Sequence, residues 1–302
     1  MAYNFREDVI IPAWNLIKDD STLKLLCLTP GLLSILFFSI LLVYQSVYAY
    51  VNIFEKGDEA FIVLLNFFES GYLFEIIIAG ILFFIIYVIA IPLFDGGLIQ
   101  YIAKKDEGQE VSGSDFIGCG FYNFLRVFQY NNLFSEFKFI SILNAYLFTL
   151  RFVGIEYLST INILFFIVFI FSTLLNIFLA YAKYEMILTK KDLFPSCSSS
   201  AKIALFNFGT TMKLYFLMFL LNVRVMLNFL IFLSFPIAII TVAGIIASQF
   251  FQVIAIVILA ILFIVCIFFL GYMAAVLDSF KAAIWYFAYK TGKANMERIG
   301  GK

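Results

Sequence analysis

Residues 103–114 read AKKDEGQEVSGS, and residues 189–200 read TKKDLFPSCSSS. Both stretches place Lys-Lys-Asp and then a polar, serine-containing turn shortly after a long apolar segment. Lysines and arginines gather on the cytoplasmic side of membrane proteins, beside the ends of the spans. We therefore expect each stretch to end a membrane span in the cytoplasm, and the rest of the topology follows from these two points.

The composition is that of an integral membrane protein. Of the 302 residues, 64% are hydrophobic and 13% are charged, whereas soluble domains carry about 25% charged residues. The 20 basic and 20 acidic residues cancel, so no nucleic-acid surface is indicated. We expect an all-α, polytopic protein of a prokaryotic cytoplasmic membrane. Its expected partners are membrane lipids, and binding to other membrane proteins or to further copies of itself is left open.

The residue types that most often carry catalysis or bind metals are scarce. The chain has no histidine, which excludes Ser-His-Asp triads and histidine-based zinc sites. Its four cysteines stand singly, without a CxxC pair, which argues against a metal cluster. We therefore expect neither enzymatic activity nor a cofactor.

Six transmembrane helices are predicted from the long uncharged segments, since about 20 apolar residues are needed to cross the hydrocarbon core. An acidic stretch after the first span is placed outside the cell. The first span lies between Lys24 and Glu55, the second runs from about Ile76 to Leu93, the third from about Leu133 to Val153, and the fourth from Tyr157 to Ala182.

The remaining two spans come from residues 225–277, which carry no charge. This stretch is too long for one crossing, so we expect the chain to turn near Ser248 and Gln249. The sixth span then ends at Asp278. A basic, amphipathic segment follows, with residues 291–302 as a tail, and both termini are cytoplasmic.

Amphipathic segments are predicted to lie in the cytoplasmic membrane surface. Residues 114–130 place aromatic side chains at helical spacing against polar ones such as Asn123. A second segment begins at Ser198–Ser200, which are typical helix caps. Six side chains from these segments and from the two ends of the chain are predicted to contact lipid: Trp14, Tyr122, Arg126, Phe206, Lys213 and Trp285.

The two surface segments match each other in sequence. Phe121-Tyr122-Asn123-Phe124 corresponds to Leu205-Phe206-Asn207-Phe208, and Ala13-Trp14-Asn15-Leu16 adds a third aromatic–Asn pair before a span. The unit would be one surface helix and one transmembrane hairpin, repeated in parallel over residues 1–101, 102–187 and 188–290. Alternatively, the positive-inside rule alone placed lysines after every second span, and the sequence leaves both explanations open.

The run Ser198-Ser199-Ser200-Ala201-Lys202-Ile203-Ala204-Leu205-Phe206-Asn207 joins small polar residues, a helical segment and an aromatic–Asn pair. In this pattern and its hydropathy, the chain resembles bacterial and archaeal multi-pass families of unknown function. These are similar to the membrane domain attached to some glycerophosphodiester phosphodiesterases. The resemblance implies a helical membrane domain. It does not extend to the soluble phosphodiesterase domain with its acidic and histidine residues, so no hydrolase activity is implied.

Arg224 is a candidate for a polar site within the membrane. If the fifth span starts near Leu214, Arg224 lies about 15 Å deep at 1.5 Å per residue. There it would need a polar surrounding or a carboxylate such as Glu136. If the span starts at Val225 instead, Arg224 is a cytoplasmic boundary anchor.

Asp95 is the second candidate for a polar site. It follows Pro92 and precedes Gly96 and Gly97, and such residues can open a helix beside a carboxylate at ion or proton sites. The alternative is a bent cytoplasmic helix end with a hydrated carboxylate. Lys183 and Glu185 are expected to be ordinary boundary charges.

The sequence therefore predicts a non-enzymatic envelope component, either an accessory subunit or a lipid-interacting scaffold. The alternative is a small-solute or ion transporter that uses Asp95 and Arg224. A membrane enzyme is a distant third hypothesis.

Overall fold

The computed structural model describes residues 4–52, 62, 71–224, 227 and 249–300. Helices make up nearly all of these residues, and no strand occurs among them. The prediction of an all-α protein is confirmed for this part of the chain. Apart from residue 227, residues 225–247 of the predicted fifth span lie outside the described residues, as does most of the predicted acidic external loop.

The α-helices are numbered here in chain order, and a short π-helix at Arg6–Ile10 precedes the first. They are α1 (Ile11–Lys18), α2 (Ser21–Leu26), α3 (Leu28–Asn52), α4 (Leu73–Asp106), α5 (Gly113–Phe134), α6 (Phe139–Val153), α7 (Leu158–Leu179), α8 (Ala182–Thr189), α9 (Leu193–Phe206), α10 (Phe208–Arg224) and α11 (Gln249–Gly300).

Four helical segments in the described part are long and apolar enough to cross a bilayer. Two bent helix pairs raise the number to six if each pair is one span. These lengths and compositions are those of a multi-pass membrane protein. The four segments are Ser21–Leu41, Leu73–Asp106, Leu158–Thr189 and Ile264–Arg298, and the bent pairs are Gly113–Phe137 with Phe139–Val153 and Leu193–Phe206 with Phe208–Arg224.

The third predicted span is wrong as a single helix. The chain leaves the helical conformation at Lys138, whose ψ of 147° is extended, and a 49° bend separates the helices on either side. The remaining helix, α6, has 15 residues, which at 1.5 Å per residue reach only about 22 Å of the roughly 30 Å needed.

The C-terminal helix α11 does not end at Asp278. It continues to Gly300 as one helix of 52 residues. The part after Asp278 buries side chains such as Ala283, Ile284 and Tyr289. The basic, amphipathic segment predicted to follow the sixth span is thus, up to Gly300, the packed continuation of the last long helix.

The prediction that Ser198–Ser200 cap a helix is also wrong. Helix α9 starts at Leu193 after the extended residue Asp192, and Pro195 in its first turn costs no hydrogen bond. The three serines therefore lie inside the helix. Ser200 is buried, accepts a hydrogen bond from the Tyr181 N–H at 3.0 Å and donates one to the Phe178 carbonyl at 2.7 Å.

The chain divides into two compact units. The first contains Met1–Leu23, Pro92–Val223 and Ser279–Lys302, and the second contains Lys24–Ile91 and Arg224–Asp278. The three consecutive repeat units drawn from the sequence stay a prediction.

Within the second unit, helix α3 approaches its neighbours closely at small and aromatic residues. A Cβ on Gly31 would lie 2.8 Å from the carbonyl oxygen of Gly271 on α11. The ring of Phe37 stacks on Tyr87 of α4 at 4.7 Å between centroids. Small residues at such crossings let helix backbones approach, which is how membrane helices gain packing energy in lipid.

Within the first unit, glycines let α4 cross α5 at close range. A Cβ on Gly97 would lie 2.6 Å from the Phe116 carbonyl oxygen, and one on Gly120 would lie 2.5 Å from the Leu93 carbonyl oxygen. Helix α4 also continues through Pro92 without a break. Gly96 and Gly97 thus serve helix packing, and of the two possibilities that the sequence left open at Asp95, an opening of the helix does not occur.

We expect Gly120→Ala to destabilise the protein by about 1–3 kcal/mol, because the added methyl group must push backbone atoms apart. Gly118→Ala is the matched control on the same helix, since a Cβ there meets no atom within 4 Å. That change should be neutral or stabilising by up to about 1 kcal/mol, the helix preference of alanine over glycine. Thermal unfolding of the purified variants in detergent measures both, and equal effects at the two positions would contradict the close crossing.

Candidate functional site

Carboxylate–lysine pairs join helices α4, α8 and α11 in the first unit. Asp95 of α4 accepts a hydrogen bond from Lys183 of α8 at 2.7 Å. The Lys183 ammonium also lies 5.5 Å from the centre of the Tyr130 ring of α5. A cation near an aromatic face gains electrostatic attraction, so this half-buried pair links three helices.

A second pair joins α4 to α11. Asp106 at the last residue of α4 accepts hydrogen bonds from Lys290 at 2.5 Å and from the Tyr286 hydroxyl at 2.9 Å. Asp106 is the acidic residue of the first Lys-Lys-Asp. The motif thus contributes a structural contact in addition to marking the end of the helix.

Glu185 of α8 is the most buried of these carboxylates, with 1% of its surface exposed. It accepts hydrogen bonds from Lys191 at 2.6 Å, from Lys293 of α11 at 3.0 Å, and from the Tyr289 hydroxyl. The expectation that Glu185 is an ordinary boundary charge is therefore wrong. A carboxylate at this depth is stable only because two cations and a hydroxyl surround it.

Asp20 ties the N-terminal segment to the same helix ends. Its carboxylate accepts hydrogen bonds from the Leu23 backbone N–H and the Tyr101 hydroxyl, both at 2.9 Å, and from Lys105. The bond to Leu23 makes Asp20 the N-terminal cap of α2. Lys105 belongs to the first Lys-Lys-Asp, so that motif binds both ends of the chain.

Two asparagines that the sequence singled out donate hydrogen bonds to other long helices. Asn123, predicted to face water on α5, is buried and donates to the Gln100 side chain of α4 at 2.6 Å. Asn207, between α9 and α10, donates to the Gly292 carbonyl of α11 at 3.0 Å. Asn15, the third candidate of this pattern, is exposed.

The three candidates for an intramembrane polar site do not form a cluster in the first unit. Asp95 is paired with Lys183 as described. Glu136 is exposed in the short 3₁₀ turn after α5, and Arg224 is an exposed residue at the end of α10 that belongs to the second unit. Whether Arg224 lies at membrane depth stays a prediction.

The six predicted lipid-contacting residues fall into two groups. Trp14, Tyr122, Phe206 and Lys213 are exposed, and Arg126 is partly exposed beside Tyr122. Trp285 is partly exposed, and its ring packs edge-on against Tyr181 and Tyr215, with centroids 5.7 and 5.3 Å away. The exposed Trp14 also makes an edge-on contact, with Phe280 at 5.8 Å.

Residues that sequence reasoning missed include Asp20, Lys293 and Tyr289. Their partners are far away in the chain, so spacing gives no signal for them. A weak signal existed for Asp20, which directly precedes the serine that opens α2.

The described residues contain no group of three or more cysteine, aspartate or glutamate side chains that could hold a metal ion. Comparison of the chain with protein-family models, with curated proteins and with solved structures finds no match. The resemblance drawn from the sequence therefore stays a prediction.

Asp20 gives the stability of the protein a defined dependence on pH. Burial alone would raise the pKa of this carboxyl, but the hydrogen bonds from Lys105, Leu23 and Tyr101 outweigh it and hold the pKa below the ordinary 3.8. Because the pKa is lower in the folded state, the ionised form contributes stability above about pH 4. That stability is lost as the pH falls through the folded pKa.

We expect the wild type to lose thermal stability on acidification below about pH 4 more steeply than Asp20→Asn, which lacks this titration. Asp19→Asn is the control, since the Asp19 side chain is 84% exposed and its oxygen lies 3.8 Å from Lys18. Melting temperatures measured from pH 7 to pH 3 in detergent provide the test. Parallel curves for the wild type and Asp20→Asn would show that Asp20 does not carry the effect.

Proposed function

We propose that the chain is a six-pass integral membrane protein with a non-enzymatic role in a prokaryotic cell envelope, as an accessory subunit or a lipid-interacting scaffold. In this proposal both termini are cytoplasmic and the surface helices engage the headgroup region of the cytoplasmic membrane. Membrane lipids are the main partners. Other membrane proteins, or further copies of the chain, bind to the assembled helices.

The observation that carries the proposal is the two-sided nature of α5. One side packs into the first unit through Phe116, Gly120 and Val127, which are buried. The other side exposes large apolar side chains, with Phe121 at 66% and Leu125 at 68% exposure. A helix held to protein on one side and apolar on the other requires a further apolar surface, and the headgroup–acyl boundary of a bilayer provides one.

The start of α5 suits this location as well. Ser112 caps the helix by accepting from the Asp115 N–H at 3.2 Å, and Asp115 accepts in turn from the Ser112 N–H at 3.0 Å. This reciprocal capping box fixes where the helix begins. The polar loop before it and the apolar face after it therefore meet at a defined point, as expected at a membrane–water boundary.

The buried Asn123 and the partly exposed Asn207 support a parallel repeat for two of the three repeat units. Asn123 and Asn207 occupy matching positions in the sequence, and each donates a hydrogen bond to another long helix. Because Asn15 is exposed, the first repeat, residues 1–101, is a diverged copy in this proposal.

Transport at Asp95 is the weaker alternative. Lys183 already compensates the Asp95 charge at 2.7 Å, so this carboxylate needs no bound cation to be stable. The space beside the neighbouring Gly96 and Gly97 is occupied by atoms of α5. These contacts favour the scaffold proposal.

A nitroxide label at position 125, attached to a single introduced cysteine in a cysteine-free background, should lie about 5–10 Å below the headgroup level after reconstitution into vesicles. Oxygen and nickel-chelate accessibility by electron paramagnetic resonance measures this depth. A label at position 110, in the exposed loop before α5, is the control and should be fully aqueous. Aqueous accessibility at both positions would overturn the proposed membrane-surface location.

A further inference from the structure

Two cations from different helices lie close to one exposed aromatic ring. The guanidinium of Arg126 on α5 lies 5.6 Å from the centre of the Tyr122 ring, and the ammonium of Lys190 lies 5.7 Å from it. Lys190 directly follows α8, so two positive charges from separate elements lie beside the same ring. An anion bound beside that ring would be attracted by both charges.

Lys190 is held in an unusual backbone conformation. Its φ of 58° and ψ of 22° are left-handed, and it is the single residue other than glycine with positive φ in the described part of the chain. This conformation costs a non-glycine residue about 1–2 kcal/mol. Glycine is the usual residue at the position that ends a helix in this way. A lysine in this strained conformation, where glycine would be unstrained, suggests that its side chain has a role.

A cleft of about 440 Å³ adjoins Arg126 within the first unit. Leu133 and Phe194 line it with exposed apolar surface, and Gln129 and Asp192 supply hydrogen-bond acceptors. A cationic edge next to apolar surface matches a phospholipid, with its phosphate near the cations and its glycerol and upper acyl region against the apolar side chains.

We propose that Arg126 and Lys190, beside the Tyr122 ring, form a binding site for the phosphate of an anionic phospholipid. Tyr122 holds the two cations in place through its ring face, and the cleft receives the glycerol part of the lipid. This inference rests on the proposed function, because it requires α5 to lie at the membrane surface. It adds a defined headgroup chemistry and a residue, Lys190, that the apolar face of α5 does not include.

The test compares binding of phosphatidylglycerol and phosphatidylcholine to the purified full chain by native mass spectrometry from detergent. Arg126→Gln and Lys190→Gly should each weaken phosphatidylglycerol binding about five-fold, and the double variant about 25-fold, since one basic residue near the headgroup contributes about 1 kcal/mol. Phosphatidylcholine binding should not change. Lys202→Gln, which removes an exposed lysine of α9, is the matched charge control and should have no effect.

Lys190→Gly separates this site from a structural role of the lysine. Glycine adopts the left-handed conformation without strain, so the melting temperature in lipid-free detergent should stay the same or rise. Loss of phosphatidylglycerol preference without loss of stability is the expected result. Unchanged preference in the double variant, or an equal loss in Lys202→Gln, would overturn the inference.

Three further outcomes identify what fails. Displacement of phosphatidylglycerol by millimolar inorganic phosphate would show a site for a soluble anion and overturn the lipid assignment. If the label at position 125 lies in the membrane but the double variant binds both lipids like the wild type, the phosphate site is wrong while the proposed function stands. An aqueous label at position 125 contradicts both.

Discussion

The first unit depends on carboxylate–lysine pairs between three helices, α4, α8 and α11. Asp95 pairs with Lys183, Asp106 with Lys290, and Glu185 with Lys293. These pairs connect α4 with α8, α4 with α11, and α8 with α11, so that each helix end is bound to both of the others. Glu185 is 1% exposed, and removal of a lysine partner leaves its buried charge less compensated, which costs far more than the intact pair contributes. The other two pairs are more exposed, with Lys290 at 57% and Asp95 at 35%. The pairs therefore define which helix ends meet.

This arrangement suits a protein whose exposed surface is mostly apolar. In lipid, apolar side chains give no preference for protein over acyl chains, so helices associate through close backbone packing and polar contacts. The first unit uses both. Glycines bring α4 and α5 together, and hydrogen bonds from Asn123 and Asn207 join α4 to α5 and the α9–α10 junction to α11. One side of α5 exposes large apolar side chains.

The sequence predicted the helical class, several helix positions and the helix that carries Asn123, because these follow from local periodicity and uncharged length. It did not predict the 97° bend at Asn207, between α9 and α10. It left the role of Gly96 and Gly97 open, since a pair of glycines looks the same whether it opens a helix or admits a neighbour. It misjudged Glu185 because its partner Lys293 is more than 100 residues away. It did not predict that α11 continues past Asp278, because a charge that ends an apolar run does not end a helix.

A double-mutant cycle between Glu185 and Lys293 tests most directly whether carboxylate–lysine pairs hold the helix ends together. The free energies of unfolding of the wild type, Glu185→Gln, Lys293→Met and the double variant are measured by denaturant titration in one detergent. Because the two groups are in contact at 3.0 Å, the account predicts a coupling of at least about 1 kcal/mol. Additive effects, within about 0.5 kcal/mol, would contradict it.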